Sequence, residues 1–322
     1  MSGLITVFWK ELADNFSSRR FTILFLLVLL AGIFAIYTSA ENMKAAVSEI
    51  SRSQFAASQT FRFVFLKLFI LSAEPMPSFL TFIVFFVPIV GIALGFDAIN
   101  NEKNTGTLSR LLAQPIFRDA VINGKFLAGV ATIAIMLVSI VMLVTGVGLR
   151  LIGVPPSSEE VIRLLVFLLV SILYGAFWLG LAILFSIFFR QVATSALASI
   201  AIWIFFIFFM LIASGLVTNI LVPISEQSSQ QLLLQNAETN LMIMRISPIT
   251  LFQEAVTALL SPGIKTLGFI TETTAEWMLP TELSLSQSLL IVWPHLVSLV
   301  ALTAICFAIS YTKFMREEIR ST

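Results

Sequence analysis

Charge and cysteine are what this 322-residue sequence has least of. Only 11% of its residues are charged, against roughly 25% in an ordinary soluble domain. Hydrophobic residues make up 58%, and the mean hydropathy is +0.99. These figures exclude a water-soluble globule and describe an integral membrane protein. The formal net charge is only +1, so no bulk basic character points to nucleic acid. Cys306 is the single cysteine, which rules out an intrachain disulfide and a cysteine-cluster metal site. His295 is likewise alone, so no histidine pair exists to build a zinc site and no nucleophile–base pair can be argued from the abundant serines. A phosphate-binding loop is also missing, because Gly124 and Lys125 are preceded by the wrong spacing and followed by Phe126. If ATP drives this protein, another chain binds it.

What the sequence does have is long apolar runs. A spanning helix needs roughly 20 mostly apolar residues, and six stretches qualify: 21–39, 79–96, 120–149, 161–189, 192–222 and 289–314. The fold class is therefore all-α, a polytopic membrane protein with six transmembrane helices. No internal repeat or linker divides it, so 1–322 reads as a single transmembrane domain. An even number of spans puts both termini on one side. With the termini inside, 11 of the 19 Lys and Arg fall in short segments hugging the spans; most of the others fall in long loops, where the positive-inside rule loses force. Both termini are accordingly expected in the cytoplasm. The span centres carry almost no ionisable residue, which disfavours an ion-coupled carrier. Asp97, Lys125, Arg163 and Arg190 sit at or near span ends as interfacial anchors.

Residues 4–16 form a mixed amphipathic segment rather than a cleavable signal peptide. Leu4, Ile5, Phe8, Leu12 and Phe16 make its apolar stripe, Lys10, Glu11 and Asp14 lie elsewhere, and Trp9 suits headgroup depth. Two segments assigned outside, 40–78 and 219–288, are too long and apolar for simple loops. In the first, 41–58 reads as a polar helix, while 61–71 either extends the second span or lies in the outer interface. In the second, Ser247 and Pro248 start a helix that ends at Leu260, too short to cross and therefore re-entrant or interfacial. Gly91 and Gly95 form a small-xxx-small pair suited to close helix contact. In the fifth span, Ser195, Ser199, Phe205 and Phe209 are candidates for lining a hydrophobic pathway, with packing or lipid contact the plainer role for the rings. Trp293, Pro294 and His295 read as markers of the outer interface.

The polar interruption at 102–125 organises the rest. Leu108, Leu111, Leu112 and Pro115 recur at helical spacing, Thr105, Gly106 and Thr107 supply capping chemistry, and Pro115 ends the short amphipathic helix. Glu102, Thr105, Gly106, Thr107, Leu108, Leu111, Leu112, Pro115, Arg118, Gly124 and Lys125 together resemble the segment after the second span in type-2, exporter-like ATP-binding-cassette permeases. Within that class the chain resembles the subgroup of copper-enzyme-maturation and gliding-associated permeases.

The resemblance implies an elbow helix at 1–20 around Trp9, Lys10 and Glu11, and a cytoplasmic coupling helix at 99–119. Glu102, Lys103, Asn104, Thr105, Gly106, Thr107, Leu108, Leu111, Leu112, Pro115, Arg118 and Lys125 are then expected to dock on a separate ATPase. It further implies a non-catalytic subunit with no cofactor of its own, ATP and Mg being bound by two cytoplasmic ATPase subunits. A second permease copy, as a homodimer in the bilayer of a prokaryotic plasma (inner) membrane, completes the expectation. The function it implies is ATP-driven export of a hydrophobic or amphipathic substrate. A force transmitter acting on an extracytoplasmic protein is the alternative, and an ion-coupled carrier the third.

Overall fold

The computed structural model describes residues 2–50, 63–72, 77–107, 117–225, 228–263 and 282–316. Among these the structure is helical, without a strand. In chain order the helices are α1 (Ser2–Ser17), α2 (Arg19–Ile50), α3 (Val64–Ile70), α4 (Phe79–Gly95), α5 (Asn100–Asn104), α6 (Arg118–Ile152) and α7 (Ser158–Phe188). They continue as α8 (Val192–Ile204), α9 (Met210–Leu221), α10 (Gln230–Met244), α11 (Pro248–Leu260) and α12 (Leu285–Arg316). A π-helical turn, Phe205–Phe209, joins α8 to α9. Six helical stretches are long and apolar enough to cross a membrane, as the sequence predicts: Arg19–Lys44, Phe79–Asn104, Arg118–Ile152, Ser158–Phe188, Val192–Leu221 and Leu285–Arg316.

The helices outrun their apolar cores where local chemistry satisfies the end groups. Ser157 caps α7 in a reciprocal box with Glu160, and Gly153, at φ 75°, closes α6 in the left-handed conformation that costs glycine least. At Ser247 the hydroxyl accepts the Ile249 N–H and Pro248 occupies the first helical turn, so α11 starts where its sequence signals it. A break between α10 and α11 turns the chain through 109°.

At the centre of the bundle is α7. Of its most apolar stretch 67% is buried within the chain, against 17% for the span of α8 and α9, so α7 is the hub and the fifth span is peripheral. Its closest neighbour is α4, and the approach depends on glycine. A Cβ at Gly95 would sit 2.8 Å from both Ala182 Cβ and Leu179 O; one at Gly91 would sit 2.9 Å from Gly175 O. The small-xxx-small pair thus works within the chain, between the second and fourth spans. Tyr174 of α7 stacks on Phe252 of α11 with ring centroids 4.2 Å apart, and its hydroxyl donates to Val84 O of α4 at 3.1 Å.

Two expectations change. Residues 41–50 continue α2 rather than starting a separate helix, and 51–58 lie outside the described residues. The phenylalanine-rich stretch does not extend the second span: α3 is a separate short helix with Phe65, Leu66, Leu68 and Phe69 fully buried within the chain. Burying four large side chains on one short helix contributes far more than interfacial contact, at roughly 1.5–3 kcal/mol per side chain.

Replacing Gly95 by valine is expected to lower the unfolding temperature in detergent through overpacking of about 1–3 kcal/mol. Gly146→Val is the control, because a Cβ there meets nothing within 4 Å. Equal melting temperatures for the two variants would contradict the close-packed α4–α7 contact.

Candidate functional site

The site forms where α1, α5 and the start of α6 meet, at the same end of the bundle as the amino terminus. Here α1 lies across α6, and Gly124 permits it: a Cβ at that position would come within 2.7 Å of Val7 Cγ1. Val7 and Leu12 are buried in this contact face, while Trp9 stays 62% exposed. The tryptophan is therefore free of the packed face, and the structure adds to that face Val7, which the apolar stripe in the sequence omits.

One residue beyond Gly124, the Lys125 side chain is only 5% exposed. Its Nζ sits 2.9 Å from Glu11 Oε1 of α1 and 2.9 Å from Glu102 Oε1 of α5. A buried ammonium is tolerated only when paired and hydrogen-bonded, so these two carboxylates are what keep Lys125 inside. Lys10 joins from the rim, 3.0 Å from Glu11, 3.3 Å from Asp14 and 3.9 Å from Glu102. Burial alone would raise the Glu11 carboxyl, but the Lys125 and Lys10 ammoniums reverse that and hold it below the usual carboxylate range. Burial likewise pulls the Lys10 ammonium down, and the carboxylates of Glu11, Glu102 and Asp14 outweigh it and hold it up.

Around this cluster, Asn15 Nδ2 donates to Thr132 Oγ1 at 3.1 Å, a second tie from α1 to α6. The Arg20 guanidinium donates to Asp97 Oδ2 at 2.7 Å and lies over the Phe96 ring, joining the start of α2 to the end of α4. Between these groups is a cavity of about 280 Å³, edged by Lys10, Glu11, Asp97, Glu102 and Lys125. Among the described residues no group of three or more His, Cys, Asp or Glu is placed to hold a metal ion. Chemically, the arrangement is a charged lock between three helices.

The other predicted coupling residues divide. Asn104 of α5 donates to Arg190 O at 3.1 Å, and Lys103 lies beside it on α5. The hydroxyls of Thr105 and Thr107 are 2.9 Å apart and both face the Glu102 carbonyl, while Gly106 turns the chain at φ 68°. Arg118 opens α6. Leu108, Leu111, Leu112 and Pro115 lie outside the described residues. Glu102 and Lys125, two more of the expected docking residues, are bonded to each other within the chain.

The pathway candidates also separate. Ser195 and Ser199 are buried, with Ser199 Oγ donating to Ser195 O at 2.9 Å, whereas Phe205 and Phe209 are exposed. The four do not share a face within the chain. At the opposite end of the bundle the structure assembles a group that sequence reasoning missed: Glu254 Oε2 accepts from Arg245 Nε at 2.8 Å and lies 2.6 Å from His295 Nε2. His295 is thus a buried partner of α11, while its neighbour Trp293 remains exposed. No local period links positions 245, 254 and 295; only the lone histidine in an apolar helix could have signalled it.

A profile of the family described as ABC-2 family transporter protein matches residues 5–319, from α1 through α12. A search of curated proteins finds no match to the chain.

Two measurements probe the lock. Lys125→Met leaves Glu11 and Glu102 with only the rim ammonium of Lys10 and is expected to cost up to about 3 kcal/mol, the low end for breaking a buried pair, read as a lower unfolding temperature in detergent; a rise in stability would contradict the buried pairing. The folded Glu11 carboxyl titrates below its ordinary 4.5, so its contribution is present above that value and is lost as pH falls through the lower, folded one. Melting temperature should accordingly drop on acidification below about pH 4.5, and Glu11→Gln should flatten that part of the profile.

Proposed function

The chain belongs to the ABC-2 transporter family, and from that premise we propose that it is the permease subunit of an ATP-driven exporter, coupled to a separate cytoplasmic ATPase. In this reading two copies of the chain and two ATPase subunits make the working complex in a prokaryotic plasma membrane. ATP and Mg are bound by the ATPases, and the termini and the α1 end of the bundle face the cytoplasm. The subgroup of copper-enzyme-maturation and gliding-associated permeases is the kinship we favour within the family.

The observation that supports this reading is the Lys125 lock. Segment 108–116 is flanked by α5 and α6, and both flanks are bonded through Lys125 to α1. Force applied to that segment by an ATPase therefore reaches stiff, charge-locked attachments rather than loose loops. Closure of the ATPases would push the segment and α1 together and tilt the spans above them. The apolar spans favour a hydrophobic or amphipathic cargo.

A second reading, force transmission to an extracytoplasmic protein without a solute, is favoured by one specific observation. Both long segments opposite the α1 end are bonded to the buried start of α7 through Glu160 and Arg163. A purified complex whose ATPase activity responds to an extracytoplasmic partner, and not to added amphiphiles, would favour this second reading over export.

Replacing Leu108, Leu111 and Leu112 together by serine should leave the permease in the membrane while co-purification of the ATPase falls by about tenfold or more, the loss typical of removing an apolar anchor cluster. Undiminished ATPase recovery would overturn the docking assignment.

A further inference from the structure

We propose that α7 is the shaft that carries movement of the coupling segment to both extracytoplasmic segments, with Ser186 the positioning residue at one end and Glu160 and Arg163 those at the other. The proposal rests on the reading that an ATPase pushes on the segment between α5 and α6.

The shaft is one uninterrupted helix of 31 residues, which at 1.5 Å per residue is about 46 Å long. An α-helix of that length packed along its middle moves as a rod, because stretching it would break backbone hydrogen bonds and sliding it would break the glycine-mediated contact with α4 and with Ile133 of α6.

At the α1 end, the fully buried Ser186 hydroxyl accepts two backbone N–H groups, from Ile99 at 2.9 Å and Asn100 at 3.1 Å. These belong to the first turn of α5, where a helix leaves its donors without intrahelical partners. The hydroxyl therefore caps α5 from a different helix. Four residues further along the chain, Arg190 O accepts from Asn104 Nδ2. The root of the coupling segment is thus held at both ends of α5, by the last turn of α7 and by Arg190 two residues beyond it.

At the far end, one carboxylate serves two helices. Glu160 Oε1 accepts the Phe65 and Leu66 N–H groups of α3 at 2.9 and 3.4 Å, while Oε2 accepts the Ser157 N–H at 2.7 Å and closes α7's own capping box. One turn along, Arg163 is completely buried, and its five donors make five hydrogen bonds. Nη1 donates to Leu259 O at 2.8 Å and Ser288 Oγ at 3.1 Å; Nη2 donates to Leu283 O at 2.7 Å and Glu159 Oε1 at 2.9 Å; Nε donates to Glu159 Oε1 at 3.2 Å. The guanidinium also lies 5.3 Å from the Phe63 ring centroid. One side chain thereby fastens the end of α11, the approach to α12 and the residue before α3. Glu160 fastens the first extracytoplasmic segment, and Arg163 chiefly the second. A lysine cannot replace that planar fork.

This division gives a test that general destabilisation would not imitate. In a Cys306→Ala background, reporter cysteines are placed singly at two exposed positions, Ser72→Cys beside α3 and Gln253→Cys on α11. Maleimide labelling rates are compared for the full complex, reconstituted with its ATPase, free of nucleotide and trapped with ATP. The parent is expected to show a nucleotide-dependent difference at both reporters. Ser186→Ala should reduce the difference about tenfold at both, the scale of a lost coupling, with ATPase binding intact. Glu160→Gln should reduce it at Ser72→Cys alone, and Arg163→Lys at Gln253→Cys alone. Full differences in Ser186→Ala, or equal losses at both reporters in the two far-end variants, would overturn the shaft while leaving the permease assignment standing. Failure of the unmodified chain to bind an ATPase, or an absence of any nucleotide-dependent difference in the parent, would overturn that assignment and the shaft with it.

Discussion

A single buried ammonium sets the terms for this structure. Lys125 gives its charge to Glu11 and Glu102 at equal distances of 2.9 Å, and those carboxylates come from two helices that do not otherwise adjoin in sequence. Moving either carboxylate helix away would take one of the two partners of the buried Lys125, and moving α6 away would leave both carboxylates with only Lys10 on the rim, a larger loss than most surface ion pairs represent. The amino-terminal helix, the short helix after the second span and the base of the third span are consequently one mechanical body. Gly124 makes the geometry possible by bringing Val7 to van der Waals distance beside the charge.

The third span, which carries that lock, packs on both α2 and α7. The fourth span is the most enclosed of the six, whereas the first, fifth and sixth leave most of their apolar surface uncovered. Those uncovered surfaces are what lipid, or a second copy of the chain, would cover in the assembly we propose. A design with one enclosed axis and exposed flanks concentrates internal bonding along α7, and the polar ends of α7 are where α3, the end of α11, the approach to α12 and the start of α5 attach. In the assembly we propose, export and force transmission are uses of one architecture, distinguished by whether the far end of α7 meets a solute or a protein.

The spans were legible in the sequence because a run of apolar residues needs no tertiary information to declare itself, and the six stretches matched six helices. The Ser247-Pro248 start of α11 was legible for the same reason, being local capping chemistry. The amphipathic stripe identified α1 but not Val7, since which apolar side chain goes deepest was decided by a glycine 117 positions away. Glu102 and Lys125 stood out, yet their pairing with Glu11 is a long-range contact that no local period encodes. Burial of α3 was hidden likewise, because its phenylalanines look the same against lipid as against α7. Ser195 and Phe205 could not be separated on paper: ten residues at 100° each leave them roughly 80° apart, within one face of an α-helix, and only the packing makes one buried and the other exposed. The trio of Arg245, Glu254 and His295 was beyond sequence reasoning, since its members come from three places joined only by folding.

The central claim, that α1 and the base of the third span travel as one body, is open to a direct measurement. A Cβ built on Gly124 lies 3.0 Å from Val7 Cβ, so a small shift reaches the roughly 3.5–4.5 Å that a disulfide spans. The doubly substituted chain, Val7→Cys with Gly124→Cys in the Cys306→Ala background, is reconstituted with its ATPase. Permease-dependent ATP hydrolysis is then compared before oxidation, after it, and after reduction. The account predicts that the oxidised, cross-linked complex keeps its activity, because the bond joins parts that never separate. Activity lost on oxidation and restored on reduction would contradict it.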